Sequence, residues 1–206
     1  MNQEKSKRRV VVTGLGAVTP LGPDTQSSWE AAIAGRSGIR PVTRFDASNH
    51  VTRIAGQVDG IEPEEYISRK YLKKLDRFQI YAIMASLMAL EDSGLRIDRE
   101  NEHKIGVIIG SGIGGIESIE ANHCVLLERG PKKVSPFLVP MAIINLAPGH
   151  ISILTGAKGP NTAVVTACAA GSHAIGDSFK IIQRGDADAM ICLLYTSDAA
   201  DEGLGV

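Results

Sequence analysis

The stretch Val164-Val165-Thr166-Ala167-Cys168-Ala169-Ala170-Gly171 decides the fold, because a β-branched run passes directly into small, helix-forming residues. The β-branched residues favour a strand over Thr162–Thr166, and the alanines begin a helix that we predict from about Ala169 to Arg184. A side chain presented at so sharp a turn needs small neighbours, and those of Cys168 are alanine and glycine. The sequence therefore predicts that Cys168 stands where a strand bends into a helix.

Cys168 is the candidate nucleophile. The unpaired amides and the dipole at a helix N-terminus favour a thiolate, which is the reactive form of cysteine. Cys124 and Cys192 lack such a setting, and we interpret them as small apolar side chains, a reading that also stays open for Cys168 on these residues alone. His173 lies about 140° around the helix from Cys168, so we interpret it as a structural histidine rather than an activating base.

Outward from this turn, short apolar runs alternate with helical patterns. Strands that alternate with helices predict an α/β fold with a largely parallel sheet. The further predicted strands are Val10–Gly14, Lys104–Gly110 and Asp188 to about Leu193. The further predicted helices are Trp29–Ala34 with Ser27 and Ser28 as caps, Asp76–Asp92 ended by Ser93-Gly94, Ile116–Glu128, and two short pieces within Val139–Leu154.

Composition excludes several classes of protein. The chain has 206 residues, of which 44% are hydrophobic and 22% charged, as in an ordinary globular domain. Its 22 basic and 23 acidic residues give a net charge of −1, so no overall field attracts nucleic acid or an anionic membrane. An odd number of cysteines argues against a disulfide framework and favours the cytoplasm. No apolar run is long enough to span a bilayer, and no histidine has zinc-site spacing, so we expect no metal.

The segment Gly110-Ser111-Gly112-Ile113-Gly114-Gly115 fits the GxGxxG pattern of dinucleotide-binding proteins. That fold then requires a second strand ending in an acidic residue, but Pro131 and Pro136 occupy the region where this strand would lie. Close backbone packing or passage of an acyl chain explains the glycines better. A dinucleotide-binding protein therefore remains the more remote alternative, and we expect no cofactor.

Several separated segments share their order and spacing with one family. They are Arg8-Arg9-Val10-Val11-Val12-Thr13-Gly14-Leu15-Gly16, Gly110 to Gly115, Ser135-Pro136-Phe137-Leu138-Val139-Pro140, Gly159-Pro160 and Thr166-Ala167-Cys168. Through them the chain resembles the type II β-ketoacyl-[acyl-carrier-protein] synthases from Arg8 to about Ile191. The resemblance implies the N-terminal half of a thiolase-like fold, with layered helices and sheets and a nucleophile helix buried between sheets. It also implies a homodimer.

The resemblance further implies a condensing enzyme of fatty-acid synthesis. Cys168 would take the acyl group from acyl carrier protein, and decarboxylation of a malonyl-carrier thioester would then extend that group by two carbons. The amide of Cys168 would be one oxyanion donor. Ile113 matches a position that lines the acyl pocket, Ala167 flanks the nucleophile, and Phe137 and Leu138 match a segment that reaches the partner subunit's pocket.

Two departures from the family follow. Its members are about twice as long, and their second half carries two histidines, a lysine and a second oxyanion donor that match nothing here. The pattern also ends after Ile191, so we predict a domain over residues 1–191 and interpret residues 192–206 as a truncation artefact. The isolated chain should then catalyse little condensation. A non-catalytic chain-length-type subunit and a fragment of a polyketide ketosynthase or thiolase remain alternatives.

Overall fold

The computed structural model describes residues 8–195 of the chain, so residues 196–206 of the predicted tail lie outside the described residues. The helices are α1 Thr25–Ile33, α2 Arg69–Leu72, α3 Arg77–Ser93, α4 Ile116–Arg129, α5 Leu138–Ala142, α6 Leu146–Thr155 and α7 Ala170–Arg184. The strands are β1 Arg40–Pro41, β2 Ile54–Ala55, β3 Ile105–Ser111, β4 Asn161–Val164 and β5 Ala189–Tyr195.

A parallel sheet in the order β4-β3-β5 forms the centre of the described chain. Val107 of β3 lies opposite Asn161 of β4, and the pairing of β3 with β5 continues to Tyr195. The predicted α/β fold with a parallel sheet is therefore confirmed. Strand β5 continues past Ile191, so the domain boundary that we placed there stays a prediction.

Helices cover both faces of this sheet. Helices α3 and α6 pack on one face, and α7 packs on the other. Every residue of β3 is buried, as expected of a parallel strand covered on both sides. The largest members of the core between the sheet and α3 and α6 are Phe78, Ile67, Ile83, Ile105, Ile109 and Ile151.

The predicted strand Val10–Gly14 is wrong. This segment has no strand conformation, and 79% of Val12 is exposed. It runs instead along α3, where a Cβ added to Gly16 would lie 2.0 Å from the carbonyl oxygen of Ala85. Among residues 8–195, these valines pair with neither β4 nor β5. Without a pairing partner, their high strand propensity does not produce a strand. The glycines serve close contact with a helix.

The predicted caps of α1 are also wrong, whereas the predicted end of α3 at Ser93-Gly94 is right. Asp24 caps α1 by accepting the Ser27 amide at 2.7 Å, so the helix begins before the predicted serines. Ser28 donates its hydroxyl to the Gly22 carbonyl oxygen instead. Helix α3 begins after Asp76 and ends at Gly94, which has a positive φ of 65°.

Buried Asp76 joins the beginnings of two helices. One carboxylate oxygen accepts the amide of Phe78 in α3 at 3.2 Å. The other accepts both the amide and the hydroxyl of Ser118 in α4, at 3.0 and 2.6 Å. Gln79, which is fully buried, extends this link by donating to the carbonyl oxygen of Pro140 in α5. These polar contacts fix α4 and α5 relative to the beginning of α3.

Helix α7 leaves apolar surface uncovered. It buries Ala170, Ala174 and Ser178 against the sheet, at a spacing of four residues. A neighbouring stripe holds Ile175 and Phe179, which are 61% and 38% exposed. Exposed apolar patches of this kind on a folded domain mark contact surfaces.

No helix within residues 8–195 has the length and apolar character needed to cross a membrane.

His150 of α6 is a buried histidine that predicts a dependence of stability on pH. Its Nδ1 atom lies 2.6 Å from the hydroxyl oxygen of Tyr71, and burial lowers the pKa of His150 from its ordinary 6.5. The unfolded chain therefore binds the proton more readily than the folded chain does. The stability that neutral His150 provides is present above pH 6.5 and is lost as the pH falls below it.

We expect the unfolding temperature of the wild-type chain to fall between pH 7.5 and pH 5.5 more steeply than that of His150→Asn. His123→Gln is the control, because His123 is exposed on α4. It should keep the wild-type pH dependence. Thermal unfolding monitored by circular dichroism at both pH values checks this, and equal slopes for the wild type and His150→Asn would contradict it.

Candidate active site

The turn between β4 and α7 presents Cys168 as the sequence predicts. Strand β4 ends at Val164, a single turn of 3-10 helix spans Ala167–Ala169, and α7 follows at once. Cys168 is exposed within this turn. Ala167 has a φ of +49° and is the one non-glycine residue with positive φ within residues 8–195. Such strained backbone clusters at functional sites, where the surrounding structure holds it in place.

Gly110 allows α7 to begin directly against the sheet. A Cβ added to Gly110, near the end of β3, would lie 2.4 Å from the carbonyl oxygen of Ala170 and 2.9 Å from the amide nitrogen of Gly171. Real Cβ atoms do not approach backbone so closely. The absence of a side chain at Gly110 therefore positions the first turn of α7, and with it the Cys168 turn.

Two other glycines of this segment meet α5. A Cβ added to Gly115 would lie 2.2 Å from the carbonyl oxygen of Met141, and one added to Gly114 would lie 2.6 Å from that of Ala142. Gly114 also has a φ of +90°, a backbone conformation that residues with a Cβ atom avoid. Close packing of protein backbone therefore accounts for Gly110, Gly114 and Gly115.

An open, largely apolar cavity of about 670 Å³ lies at the β4 end of the turn, and Cys168 is not part of its wall. Its volume is within the size range of small-molecule sites. Ile113 and Val165 both line the cavity, and the predicted place of Ile113 in an acyl pocket stays a prediction. The remaining lining residues are Ile119, Ala142, Ile143, Ile144, Asn145, Asn161, Thr162 and Ala163. Sequence reasoning missed these, although the apolar run at Ile143-Ile144 beside the glycine-rich segment was an available signal.

The other predicted site residues lie outside the cavity lining. Phe137 caps the start of α5, and Leu138 is the first residue of that helix. The Nζ atom of Lys74 lies 5.1 Å from the centre of the Phe137 ring, a cation–π contact. Ala167 lies in the turn beside Cys168. The binding roles of these three residues stay predictions.

The other two cysteines lack the setting of Cys168. Cys124 is exposed in the middle of α4, away from any helix N-terminus. Cys192 lies in β5, and burial raises the pKa of its thiol, which opposes formation of the reactive thiolate. Among residues 8–195, no three histidine, cysteine or acidic side chains are close enough together to hold a metal ion.

His173, which we interpreted as a structural histidine, is exposed and has a partner that the sequence did not indicate. Its Nδ1 atom lies 2.7 Å from Oγ1 of Thr166. Thr166 directly precedes the 3-10 turn, so this contact spans the segment that carries Cys168. Seven residues separate the two side chains in sequence, and only the sharp turn brings them together.

Comparison with known proteins gives consistent matches. The model of the β-ketoacyl synthase N-terminal domain matches residues 7–199. The 3-oxoacyl-[acyl-carrier-protein] synthase 2 of Vibrio cholerae is 53% identical over 90% of this chain and 45% of its own length. That of Synechocystis is 50% identical over the same shares. The chain thus spans about half the length of the curated relatives it matches.

Solved structures agree with these matches. The ishigamide ketosynthase/chain length factor aligns with a TM-score of 0.79 and 30% identity, over 88% of this chain and 46% of its own. The complex of a type II polyketide acyl-carrier protein with its ketosynthase aligns with a TM-score of 0.77 and 27% identity, over 90% of this chain and 50% of its own. The predicted layered fold is confirmed by these neighbours.

Proposed function

The chain belongs to the β-ketoacyl synthase family through its N-terminal domain, and on that premise we propose that it carries the acyl-transfer half of a 3-oxoacyl-[acyl-carrier-protein] synthase. Cys168 is the proposed nucleophile. The observation that carries the proposal is the exposed position of Cys168 in a strained turn at the start of α7, beside an apolar cavity.

In the proposed acyl transfer, the Cys168 thiolate attacks the carbonyl carbon of an acyl-carrier thioester. A new bond forms between that carbon and Sγ, the bond from that carbon to the carrier sulfur breaks, and the carrier leaves as a thiolate. The N-terminus of α7 stabilises the thiolate before attack, and the backbone amide of Cys168 donates to the developing oxyanion. The cavity lined by Ile113 and Val165 takes the acyl chain out of water.

In the proposed condensation, a malonyl-carrier thioester loses carbon dioxide, and the resulting carbanion attacks the acyl carbon on Cys168. The bond to sulfur breaks, the thiolate returns, and the β-ketoacyl-carrier thioester leaves two carbons longer. We propose that the groups that promote decarboxylation come from the part of the family's length that this chain does not span. Among the alternatives, a non-catalytic chain-length subunit has no use for a reactive cysteine in the turn.

Acyl carrier protein is the proposed partner. One neighbouring structure is a ketosynthase with its acyl-carrier protein, which supports this choice. Lys132 and Lys133 are exposed in the 3-10 helix that precedes α5, and Lys74 contacts Phe137 at the start of α5. These lysines form no ion pair within the described residues. A basic surface suits a partner with acidic side chains.

Reversing the charge of this surface should weaken carrier binding. We expect Lys132→Glu with Lys133→Glu to reduce affinity for acyl carrier protein about tenfold and to flatten its dependence on salt. Lys180→Glu with Arg184→Glu changes the charge equally on α7, on the other face of the sheet, and should leave affinity unchanged. Calorimetric titration at low and at physiological salt checks this. Equal losses for both pairs would show that only net charge matters.

A homodimer in the cytoplasm is also proposed. Strand β4 lies at an edge of the sheet among residues 8–195, and an unpaired edge is open to a strand of a second copy. A cytoplasmic location suits a cysteine that must stay reduced to react.

Joining the chain through Ile191 to the C-terminal part of the Vibrio cholerae relative tests the proposed function. The hybrid should convert acyl-carrier and malonyl-carrier thioesters into a β-ketoacyl product two carbons longer. The same hybrid with Cys168→Ala should form none. A folded hybrid that condenses equally well without the thiol would refute the proposal.

A further inference from the structure

His173 reaches back across the turn that carries Cys168. It lies in the first turn of α7, and helical side chains point toward the N-terminus of their helix. Its Nδ1 atom thereby comes within 2.7 Å of Oγ1 of Thr166. Thr166 precedes Cys168 by two residues, and His173 follows it by five. One hydrogen bond thus connects the two sides of the cysteine.

The turn needs such support because its backbone is strained. Ala167 has a φ of +49°, a region that residues with a Cβ atom avoid. Strained backbone persists only where the surroundings hold it. The carbonyl oxygen of Thr166 accepts the Ala169 amide at 3.0 Å, and the Thr166 hydroxyl pairs with His173. Backbone and side chain of the same threonine are therefore both held.

We propose that His173 is a positioning residue, which acts through Thr166 to hold Cys168 at the N-terminus of α7. This inference rests on the proposed function, in which Cys168 is the nucleophile. Without the bond, Ala167 relaxes toward negative φ, and the sulfur moves away from the helix terminus that favours its thiolate. Loss of the bond therefore lowers the reactivity of Cys168.

Alkylation by iodoacetamide, followed at each cysteine by mass spectrometry, measures this reactivity in the intact chain. His173→Phe and Thr166→Val each remove one partner of the bond, and each should slow alkylation of Cys168 about fivefold or more. Cys124, exposed on α4, is the internal control and should react at the wild-type rate. General loosening of the fold would instead speed the reaction of both cysteines.

Conservative variants and the double variant separate positioning from a merely structural role. His173→Asn places an amide near the position of Nδ1, and Thr166→Ser keeps the hydroxyl, so both should retain most of the Cys168 rate. The variant with both His173→Phe and Thr166→Val should react no more slowly than either single variant, because all three lack the same bond.

Wild-type Cys168 rates in His173→Phe and Thr166→Val would overturn the positioning role, and so would losses that multiply in the double variant. If His173→Phe does not fold, the comparison of Thr166→Val with Thr166→Ser decides in the same way. A wild-type Cys168 that reacts no faster than Cys124 would overturn the proposed function instead.

Discussion

Replacing Gly110 by alanine should destabilise the chain by about 3 kcal/mol and displace the Cys168 turn. The added Cβ would lie 2.4 Å from the Ala170 carbonyl oxygen and 2.9 Å from the Gly171 amide nitrogen. Both atoms are backbone in the first turn of α7, so no side-chain rotation relieves the contact. The helix must move away from β3, and the cysteine that precedes it must move too.

The matched control is Gly176→Ala in the same helix. Gly176 is exposed, and an added Cβ would meet nothing within 4 Å. Alanine is the better helix former, so this change should stabilise the chain by about 0.5–1 kcal/mol. Urea unfolding measures both free energies, and alkylation of Cys168 reports its displacement. A Gly110→Ala chain as stable as the wild type would refute the close packing of β3 on α7.

Replacing Asp76 by alanine should cost at least about 3 kcal/mol of unfolding free energy. The change removes the cap of α3, which is worth about 1 kcal/mol. It also leaves the buried amide and hydroxyl of Ser118 without their acceptor, which costs about 1–3 kcal/mol for each group. Asp76→Asn should lose less, because its carbonyl oxygen still caps Phe78 while its amide group faces the Ser118 amide.

Asp24→Ala is the control for this second prediction. Asp24 also caps a helix, but its carboxylate contacts only the beginning of α1, where it accepts from Ser27. Its loss should cost about 1 kcal/mol. Urea unfolding of the three variants checks the order. Equal costs for Asp24→Ala and Asp76→Ala would show that the link from α3 to α4 adds nothing.

The secondary structure could be predicted from the sequence where the local residue pattern matches the way the segment is buried in the fold. The strand Ile105–Ser111 is apolar on both sides because helices cover both sides, and the pattern shows it directly. Helix α3 carries a capping aspartate at one end and a glycine at the other. The predicted strand Val10–Gly14 was wrong, because strand propensity does not specify a pairing partner.

The chemistry of the site was predictable where it depends on neighbours in sequence. Small residues around Cys168 require a tight turn whatever the rest of the chain does. The hydrogen bond between Thr166 and His173 could not be predicted, because only the turn brings the two side chains together. The place of Ile119 in the cavity wall depends in the same way on how α4 packs. Likewise, the need for glycine at position 110 comes from the close approach of α7, and the need for glycine at position 115 comes from the close approach of α5.

The central claim is that Cys168 accepts an acyl group from a thioester. Incubation of the chain with the octanoyl thioester of N-acetylcysteamine, followed by peptide mass spectrometry, measures this directly. One octanoyl group on Cys168, none on Cys124 and none in Cys168→Ala is the expected result. A folded chain that carries no octanoyl group on Cys168, or carries as much on Cys124, would contradict the account.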